Sequence, residues 1–236
     1  MKQLCQWIDL NLSTCYRLVN TLLDRGYVSK AADRKIRLGP ALGSLHDAYS
    51  RQLRPERDLL PILAHLSQVT GETAYLANLE GGDVVLRAVV EGPQHLRVSG
   101  LAPGFRGAPH SRASGKATLA HLGEPRLTHF LETHPLAQQT PRTVTDPDLL
   151  RKELVAIASK GHAEEAGEFA EDICCVAAPY FDAGGSVLGA LSVALPLSRS
   201  DAARPVVVKA ILAAGEEASR ALGYSGLYPP PVERQE

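Results

Sequence analysis

Two pairs of alternating apolar segments, each joined by a glycine-containing turn, restrict this chain to folds that contain antiparallel sheet. The first pair is ETAYLANLE and DVVLRAVVE around Gly81-Gly82, and the second is ICCVAAPYFD and SVLGALSVALPL around Ala183-Gly184-Gly185-Ser186. Because successive side chains of a strand point to opposite faces, alternation gives each segment one core face. HAEEA and LRVSG are further candidate strands. Helical patterns follow in GKATLAHL, EPRLTHFLETH, PDLLRKELVAIASKG and DAARPVVVKAILAAGEEASRALG. We therefore predict an α+β fold.

The N-terminal region has a different pattern. Apolar residues recur at spacings of three and four, which predicts a helix with one apolar face made of Leu12, Cys15, Leu18, Val19, Leu22 and Leu23. Asn11 and Ser13 are candidate N-caps, and Gly26 is a natural stop. A short helix in KQLCQWIDL precedes this helix, and two short strands, YVSK and KIRL, follow it. The order of helix, turn, helix and hairpin is typical of a winged helix-turn-helix.

The opposite side of the same helix is polar and free of acidic residues in its first half. Arginine can pair with guanine, asparagine with adenine, and serine or threonine with bases or phosphates. We predict contacts with DNA from Ser13, Thr14, Tyr16, Arg17 and Asn20. Basic residues of the hairpin are suited to phosphates, namely Lys30, Arg34, Lys35 and Arg37. The alternative interpretation of each residue is a solvated surface.

Charge is distributed unevenly along the 236 residues. The net charge is -1, but residues 1–57 carry ten Lys or Arg and five Asp or Glu, and the remainder carries fifteen and twenty-one. Residues 1–57 therefore carry +5 and the remainder carries -6, which favours a polyanionic partner for residues 1–57. No apolar run is long enough for a membrane helix, and no signal peptide is recognisable. We expect a cytoplasmic protein that does not contact the membrane.

The cysteine and histidine spacings argue against a metal site or a cofactor. Cys5, Cys15, Cys174 and Cys175 form no C-x-x-C pair, which disfavours a zinc ribbon. His110, His121, His129 and His134 are close in sequence, but their spacing does not bring several onto one helix face. Reduced thiols fit the cytosol. We predict neither a metal ion nor a cofactor.

Four stretches together resemble the IclR-type transcriptional regulators. They are STCYRLVNTLLDRGYV, IRLGPALGSL, PHSRASGKATLAHL and GHAEEAGEFAEDICCVAAPYFDAGGSVLGALSVALP. The resemblance implies a homodimer or tetramer that binds operator DNA through winged heads and senses a small metabolite in a GAF-like domain. On this basis the domains are a winged helix-turn-helix at 1–39, a linker helix at 40–56, an effector-binding domain at 57–226 and a flexible tail at 227–236.

The resemblance also raises an expectation about the N-terminal head. Family members usually carry a further helix before the segment that here begins at Met1. Without it, Leu4, Trp7 and Ile8 lack cover. We expect either a start further upstream or a weakened head.

A ligand pocket is predicted from the residues of the second half. Strand alternation puts Ile173 and Cys175 on one face, and Ser192 and Ala194 on one face of the next strand, where small side chains leave room. The helix start at Ala113 and Ser114 offers backbone N–H groups to a carboxylate.

The resemblance to the IclR-type regulators implies a ligand pocket formed by the same parts of the chain. It implies backbone contacts at Ala113 and Ser114, polar contacts from Glu165, Cys175 and Ser192, and an apolar wall that includes Leu96 and Ile173. Ala194 stands where small-acid sensors usually have a second serine, and Glu165 stands where aspartate is common. These departures favour a ligand with an acid at one end and a hydrogen-bond donor at the other, such as a hydroxy acid or a hydroxylated aromatic acid.

The sequence therefore favours a DNA-binding transcriptional regulator controlled by a small organic acid. One alternative is a ligand-sensing dimerisation module that has lost DNA binding. Another is a cysteine hydrolase using Cys175 with His110 or His162. The hydrolase is disfavoured because Cys175 lies in an apolar strand, where nothing lowers the pKa of its thiol. We predict that the protein is not an enzyme.

Overall fold

The computed structural model describes residue 7 and residues 10–31, 35–45, 55–94 and 101–231. Contacts between Cα atoms divide the chain into an N-terminal unit, residues 1–54, and a C-terminal unit, residues 55–236. Each unit is described separately. The predicted linker helix at 40–56 includes residues 46–54, which lie outside the described residues, as do Arg34, Leu96 and the candidate strand LRVSG.

The N-terminal unit contains helix α1, Leu12–Asp24. Asn11 is its N-cap, because the Asn11 side-chain oxygen accepts a hydrogen bond of 2.9 Å from the backbone N–H of Thr14. The Ser13 hydroxyl donates to the same oxygen at 2.8 Å. Ser13 therefore supports the cap rather than forming it.

Only part of the predicted apolar face of α1 is buried. Cys15 and Val19 are buried, whereas Leu12, Leu18 and Leu22 are 46%, 48% and 40% exposed. These three leucines share the predicted apolar side of α1 with Cys15 and Val19, but the described residues leave them uncovered. A period of three and four identifies the apolar side of a helix, but the packing partners decide how much of that side is covered.

A two-stranded hairpin follows α1, as predicted. Strands β1, Val28–Lys30, and β2, Ile36–Leu38, are antiparallel, with Ser29 opposite Arg37. Residues 41–45 are helical. Before α1, Trp7 is helical, and the rest of the predicted first helix lies outside the described residues.

The C-terminal unit is an α+β fold around one five-stranded antiparallel sheet, in the order β4-β3-β7-β6-β5. Its helices and strands are, in chain order, α2 (Pro55–Thr70), β3 (Thr73–Glu80), β4 (Asp83–Val90), α3 (Ala113–Leu119), α4 (Glu124–Thr133), α5 (Pro147–Lys160), β5 (Ala163–Ala166), β6 (Ile173–Phe181), β7 (Val187–Pro196) and α6 (Leu197–Ala221). The antiparallel sheet and both predicted hairpins are confirmed.

The glycine turns explain why the hairpins form where the sequence places them. Gly81 and Gly82 join β3 to β4 with φ of +60° and +94°. Two consecutive positive φ values suit the right-handed twist of a two-residue hairpin, and only glycine adopts them without strain. Between β6 and β7, the Asp182 carboxylate accepts hydrogen bonds of 2.9 Å from the N–H groups of Gly184 and Ser186.

Helices cover both faces of the sheet. One face packs against α2 and α6, which contact each other, and fully buried residues such as Leu59, Leu63 and Ile211 belong to these helices. The other face carries α3, whose Ala113 and Ala117 pack with Ala177 of β6 in a cluster that continues into α4 and α5. This second face holds the candidate site.

The predicted flexible tail, residues 227–236, is wrong at its start. Tyr228 packs against the cluster of α3, α4 and α5, and its hydroxyl donates a hydrogen bond of 2.7 Å to the Pro179 carbonyl. A half-buried tyrosine ring with a satisfied hydroxyl anchors this part of the segment. Residues 232–236 lie outside the described residues.

Candidate functional site

A cavity of about 250 Å³ lies between the sheet and the start of α3. Strand register creates it: Cys175 is opposite Ala194, and Ser192 is opposite both Ala177 and Tyr75. Paired residues of neighbouring strands share a face, so these side chains meet on one side of the sheet. Small residues on β7 leave the space that forms the cavity.

Six of the eight residues predicted to bind an effector line this cavity. They are Ala113, Ser114, Ile173, Cys175, Ser192 and Ala194. Leu96 lies outside the described residues. Glu165, the eighth, does not line the cavity. It lies on the edge strand β5, opposite Cys175, so Cys175 stands between its carboxylate and the cavity.

The Glu165 carboxyl group is nevertheless unusual. It is 2% exposed, and one of its oxygens accepts a hydrogen bond of 3.0 Å from the Glu168 backbone N–H. Burial raises the pKa of Glu165 to about 7, and the hydrogen bond with Cys175 opposes this rise. Near neutral pH this side chain is therefore divided between its neutral and ionised forms.

Cys175 lacks the properties of a catalytic nucleophile. Burial and the neighbouring Glu165 raise the pKa of its thiol well above the ordinary value, so the thiol remains protonated and hydrogen-bonds to Glu165. His110 Nε2 is 3.1 Å from the Ala137 carbonyl oxygen, and His162 Nε2 is 3.1 Å from a Glu164 oxygen. A cysteine nucleophile requires a thiolate, and neither histidine is positioned as its base, so this geometry disfavours the hydrolase that pairs Cys175 with His110 or His162.

Arg112 is the principal site residue that the sequence did not reveal. It lines the cavity and is 5% exposed. One terminal nitrogen, Nη2, donates to the Val84 carbonyl at 2.8 Å, and the guanidinium carbon lies 5.2 Å from the centre of the Phe105 ring. Burial lowers the pKa of Arg112 to about 10, so the group is still a cation at neutral pH.

Arg112 has unused hydrogen-bonding capacity. Its Nε–H has no partner among the described residues, and within the same part of the chain no carboxylate lies within 4.0 Å of the guanidinium. Buried ionised side chains are normally paired. In the sequence, the sole hint is a charged residue directly before the small residues of α3, in SRASG.

The remaining wall of the cavity is largely apolar. The residues that line it beyond those predicted are Tyr75, Leu86, Leu101, Arg112, Phe169 and Ala170. Phe169 packs edge to face on Phe105, with ring centres 5.9 Å apart. Burial, followed by the nearby Cys175, raises the pKa of Tyr75 to about 12, so its phenol stays protonated. Among the lining residues that the structure describes, Arg112 is the one ionised side chain.

A buried ionic cluster lies beside the cavity, on the other side of α3. Lys116 is fully buried. Its ammonium group donates to both oxygens of Glu153, at 2.7 and 2.9 Å, and to Glu168 at 2.6 Å. The cluster fixes α3 to α5 and to the loop after β5, and therefore holds the helix start that borders the cavity.

The predicted DNA-contacting residues of the N-terminal unit lie on its surface. Ser13, Tyr16, Arg17 and Asn20 are exposed and Thr14 is half-buried. In the hairpin, the exposed residues are Lys30, Lys35 and Arg37, and Arg34 lies outside the described residues. Among the described residues, the polar side of α1 is therefore accessible apart from the half-buried Thr14.

The described residues contain no group of three or more His, Cys, Asp or Glu placed to hold a metal ion. Within the same residues, none of the helices has the length and apolar character required to cross a bilayer.

Comparison with known proteins identifies relatives of both units. The family described as "Bacterial transcriptional regulator IclR C-terminal" matches residues 52–220. The regulator BhcR of Paracoccus denitrificans is 33% identical over 221 residues, which are 93% of this chain and 79% of BhcR. An IclR transcriptional regulator from Silicibacter sp. TM1040 superposes with a TM-score of 0.72 at 29% identity, over 97% of this chain and 90% of the other.

A third relative was solved with a ligand. It is an IclR homologue from Microbacterium hydrocarbonoxydans complexed with 4-hydroxybenzoate, with a TM-score of 0.62 and 30% identity over 92% of this chain and 89% of the other.

Proposed function

Because the chain belongs to the IclR family of bacterial transcriptional regulators, we propose that its N-terminal unit binds operator DNA under the control of a small organic acid. The acid occupies the cavity beside α3. The observation that carries this proposal is the lining of the cavity, in which one buried cation, Arg112, accompanies hydroxyl groups and an otherwise apolar wall. Such a site suits a small anion with an apolar body.

The polar groups define the type of ligand more closely. Ser114, Ser192 and the Tyr75 phenol surround the cavity with hydrogen-bonding groups, and backbone N–H groups at the start of α3 add donors near Ala113. A hydroxy acid or a hydroxylated aromatic acid matches both ends of this site. The 4-hydroxybenzoate complex of the Microbacterium relative supports the same class.

On the DNA side, α1 acts as the recognition helix of a winged helix-turn-helix. Arg17 and Asn20 read base edges in the major groove, with Ser13, Thr14 and Tyr16 beside them. Lys30, Arg34, Lys35 and Arg37 of the hairpin contact phosphates. One recognition helix covers one half-site, so the functional species is a homodimer or tetramer. It acts in the cytoplasm, where the DNA is accessible.

Fluorescence anisotropy with the DNA upstream of the protein's own reading frame tests this function. We expect specific binding that weakens steeply with salt, because phosphate contacts release counterions, and that changes when a hydroxylated aromatic acid is added. Acid binding without any DNA binding would instead favour the ligand-sensing dimerisation module. A complex insensitive to both salt and acids would contradict the proposal.

A further inference from the structure

We propose that Arg112 selects the effector, by pairing its guanidinium with the single carboxylate of a one-ring monoacid and excluding dicarboxylates. This inference rests on the proposed function and deepens it, because it names the residue that recognises the acid and the number of charges that the ligand carries. Three observations support it: an unpaired buried cation, the size and apolar character of the cavity, and the carboxyl group of Glu165 behind Cys175.

The first observation concerns the charge of Arg112. The side chain is 5% exposed, and within the described parts of the chain its guanidinium has one acceptor, the Val84 carbonyl at 2.8 Å. Its Nε–H has no partner among the described residues although the group lines the cavity. A buried cation without a counter-ion is strongly unfavourable. A carboxylate in the cavity supplies both the missing charge and an acceptor for Nε.

The second observation concerns the body of the ligand. The cavity volume of about 250 Å³ is smaller than a pocket for a drug-sized molecule. Leu86, Leu101, Phe169 and Ile173 provide apolar lining. Phe105 lies against both the guanidinium and Phe169, which fixes the position of the cation. The cavity is therefore suited to one aromatic or similarly apolar ring attached to the carboxylate.

The third observation concerns a second charge. Behind Cys175, the Glu165 carboxyl group is 2% exposed and has one oxygen without a partner among the described residues. A dicarboxylate has to place its second charge in an apolar wall or near this acid, and neither location compensates it. A neutral hydroxyl group, in contrast, can hydrogen-bond to Ser192 or Tyr75. The site therefore favours a monoanion whose far end is neutral.

Isothermal titration of the full chain against three matched ligands tests the inference. The ligands are 4-hydroxybenzoate, the neutral 4-hydroxybenzamide, and terephthalate, in which a second carboxylate replaces the hydroxyl. We expect 4-hydroxybenzoate to bind at least about tenfold more tightly than either of the others. In Arg112→Gln, the affinity for 4-hydroxybenzoate should fall about a hundredfold, while the affinity for the amide changes less than about threefold. Arg126→Gln, which removes an exposed arginine of α4, should leave all three affinities unchanged.

The outcomes separate this inference from the proposed function. If Arg112→Gln binds 4-hydroxybenzoate as tightly as the wild type does, the role of Arg112 is overturned and the acid-controlled regulator stands. If terephthalate binds as tightly as 4-hydroxybenzoate, the exclusion of dicarboxylates is overturned. If none of the three ligands binds the wild-type chain, this inference and the hydroxylated aromatic acid as effector are both overturned. Thermal unfolding shows whether Arg112→Gln folds; should it not, the comparison of acid with amide on the wild-type chain decides.

Discussion

Three ionisable groups in or beside one cavity, Arg112, Glu165 and Cys175, hold unusual positions in this protein. Arg112 retains its charge despite burial, Cys175 retains its proton, and Glu165 titrates near neutrality. Glu165 and Cys175 are hydrogen-bonded to each other, so a change in either affects the other.

Glu165 gives a prediction about stability and pH. Its pKa is about 7 in the folded chain against an ordinary value of 4.5. Between these values the folded state keeps a proton that the unfolded state has lost, so stability falls as the pH rises through this interval. Glu165→Gln removes this dependence. The free energy of unfolding of the variant, relative to wild type, should therefore increase by roughly 2–3 kcal/mol between pH 5 and pH 8.

Urea denaturation at the two pH values measures this difference. Glu132→Gln, which changes an exposed glutamate of α4, should show no comparable change with pH. A Glu165→Gln variant whose stability follows the wild type at both pH values would show that the carboxyl group ionises normally.

Arg112 gives a second prediction, for the chain without ligand. Burial lowers the pKa of Arg112 to about 10, so the charge opposes folding, whereas the bond to Val84 contributes only about 1 kcal/mol. Arg112→Met should leave the melting temperature of the ligand-free protein unchanged or raise it. A fall of more than roughly 5 °C in differential scanning calorimetry would indicate that Arg112 has a structural role instead.

Six of the cavity residues could be predicted from the sequence. Strand alternation and a helix start made of small residues determine which of these side chains share a face. Arg112 could not be predicted, since its burial depends on the packing of Phe105 and on the carbonyl of Val84, which lies in a different element, β4. Glu165 was assigned to the correct strand, and its contact with the effector was implied only by the resemblance. Periodicity identifies a face of a strand and gives no information on which neighbour lies between a side chain and a cavity.

Among the helices, α3 depends on the cluster of Lys116, Glu153 and Glu168. Lys116→Met should lower the free energy of unfolding by about 3–5 kcal/mol, because it leaves two partly buried carboxylates without their shared cation. Burial raises the pKa of Glu168, so the loss should be smaller at pH 5 than at pH 8, because protonation of Glu168 relieves its repulsion with Glu153. Chemical denaturation measures both.

Lys152→Met is the matched control for this cluster, because Lys152 is exposed on α5 directly before Glu153. It should change stability by less than about 0.5 kcal/mol. If Lys116→Met and Lys152→Met lower the free energy of unfolding equally, the buried ion pairs of Lys116 contribute little to stability.

Helix α1 gives a prediction about DNA. Arg17→Ala should weaken operator binding by roughly 1–3 kcal/mol and relax specificity at one base pair, if Arg17 reads a guanine. Arg126→Ala removes the same charge from the C-terminal unit. Anisotropy titrations in the same salt compare the two variants, and an operator affinity unchanged by Arg17→Ala would remove this residue from the recognition surface.

The helices and hairpins were largely predictable, for local reasons. Gly81-Gly82 and Gly26 mark turns that require positive φ, and Asn11 caps α1 through its own side chain. The burial of Leu12, Leu18 and Leu22, and the order of strands in the sheet, depend on contacts between distant elements. The packing of Tyr228 also depends on such contacts. The proline-rich composition of its segment is typical of a flexible tail, yet Tyr228 packs on the cluster of α3, α4 and α5.

The molecule as a whole joins a basic N-terminal segment to an acidic C-terminal one, with +5 in residues 1–57 and -6 in the remainder. This distribution suits a protein that holds DNA with one unit and senses a ligand with the other. Both DNA binding and ligand sensing are expected of a member of the IclR family. The proposal specific to this chain is that a monoacid bound at Arg112 alters the affinity of α1 for its operator.

Operator affinity measured with and without saturating 4-hydroxybenzoate, in wild type and in Arg112→Gln, tests this coupling most directly. The account predicts that the acid changes the wild-type dissociation constant by about fivefold or more, and that Arg112→Gln binds the operator equally well but no longer responds. A wild-type affinity that is identical with and without the bound acid would contradict it.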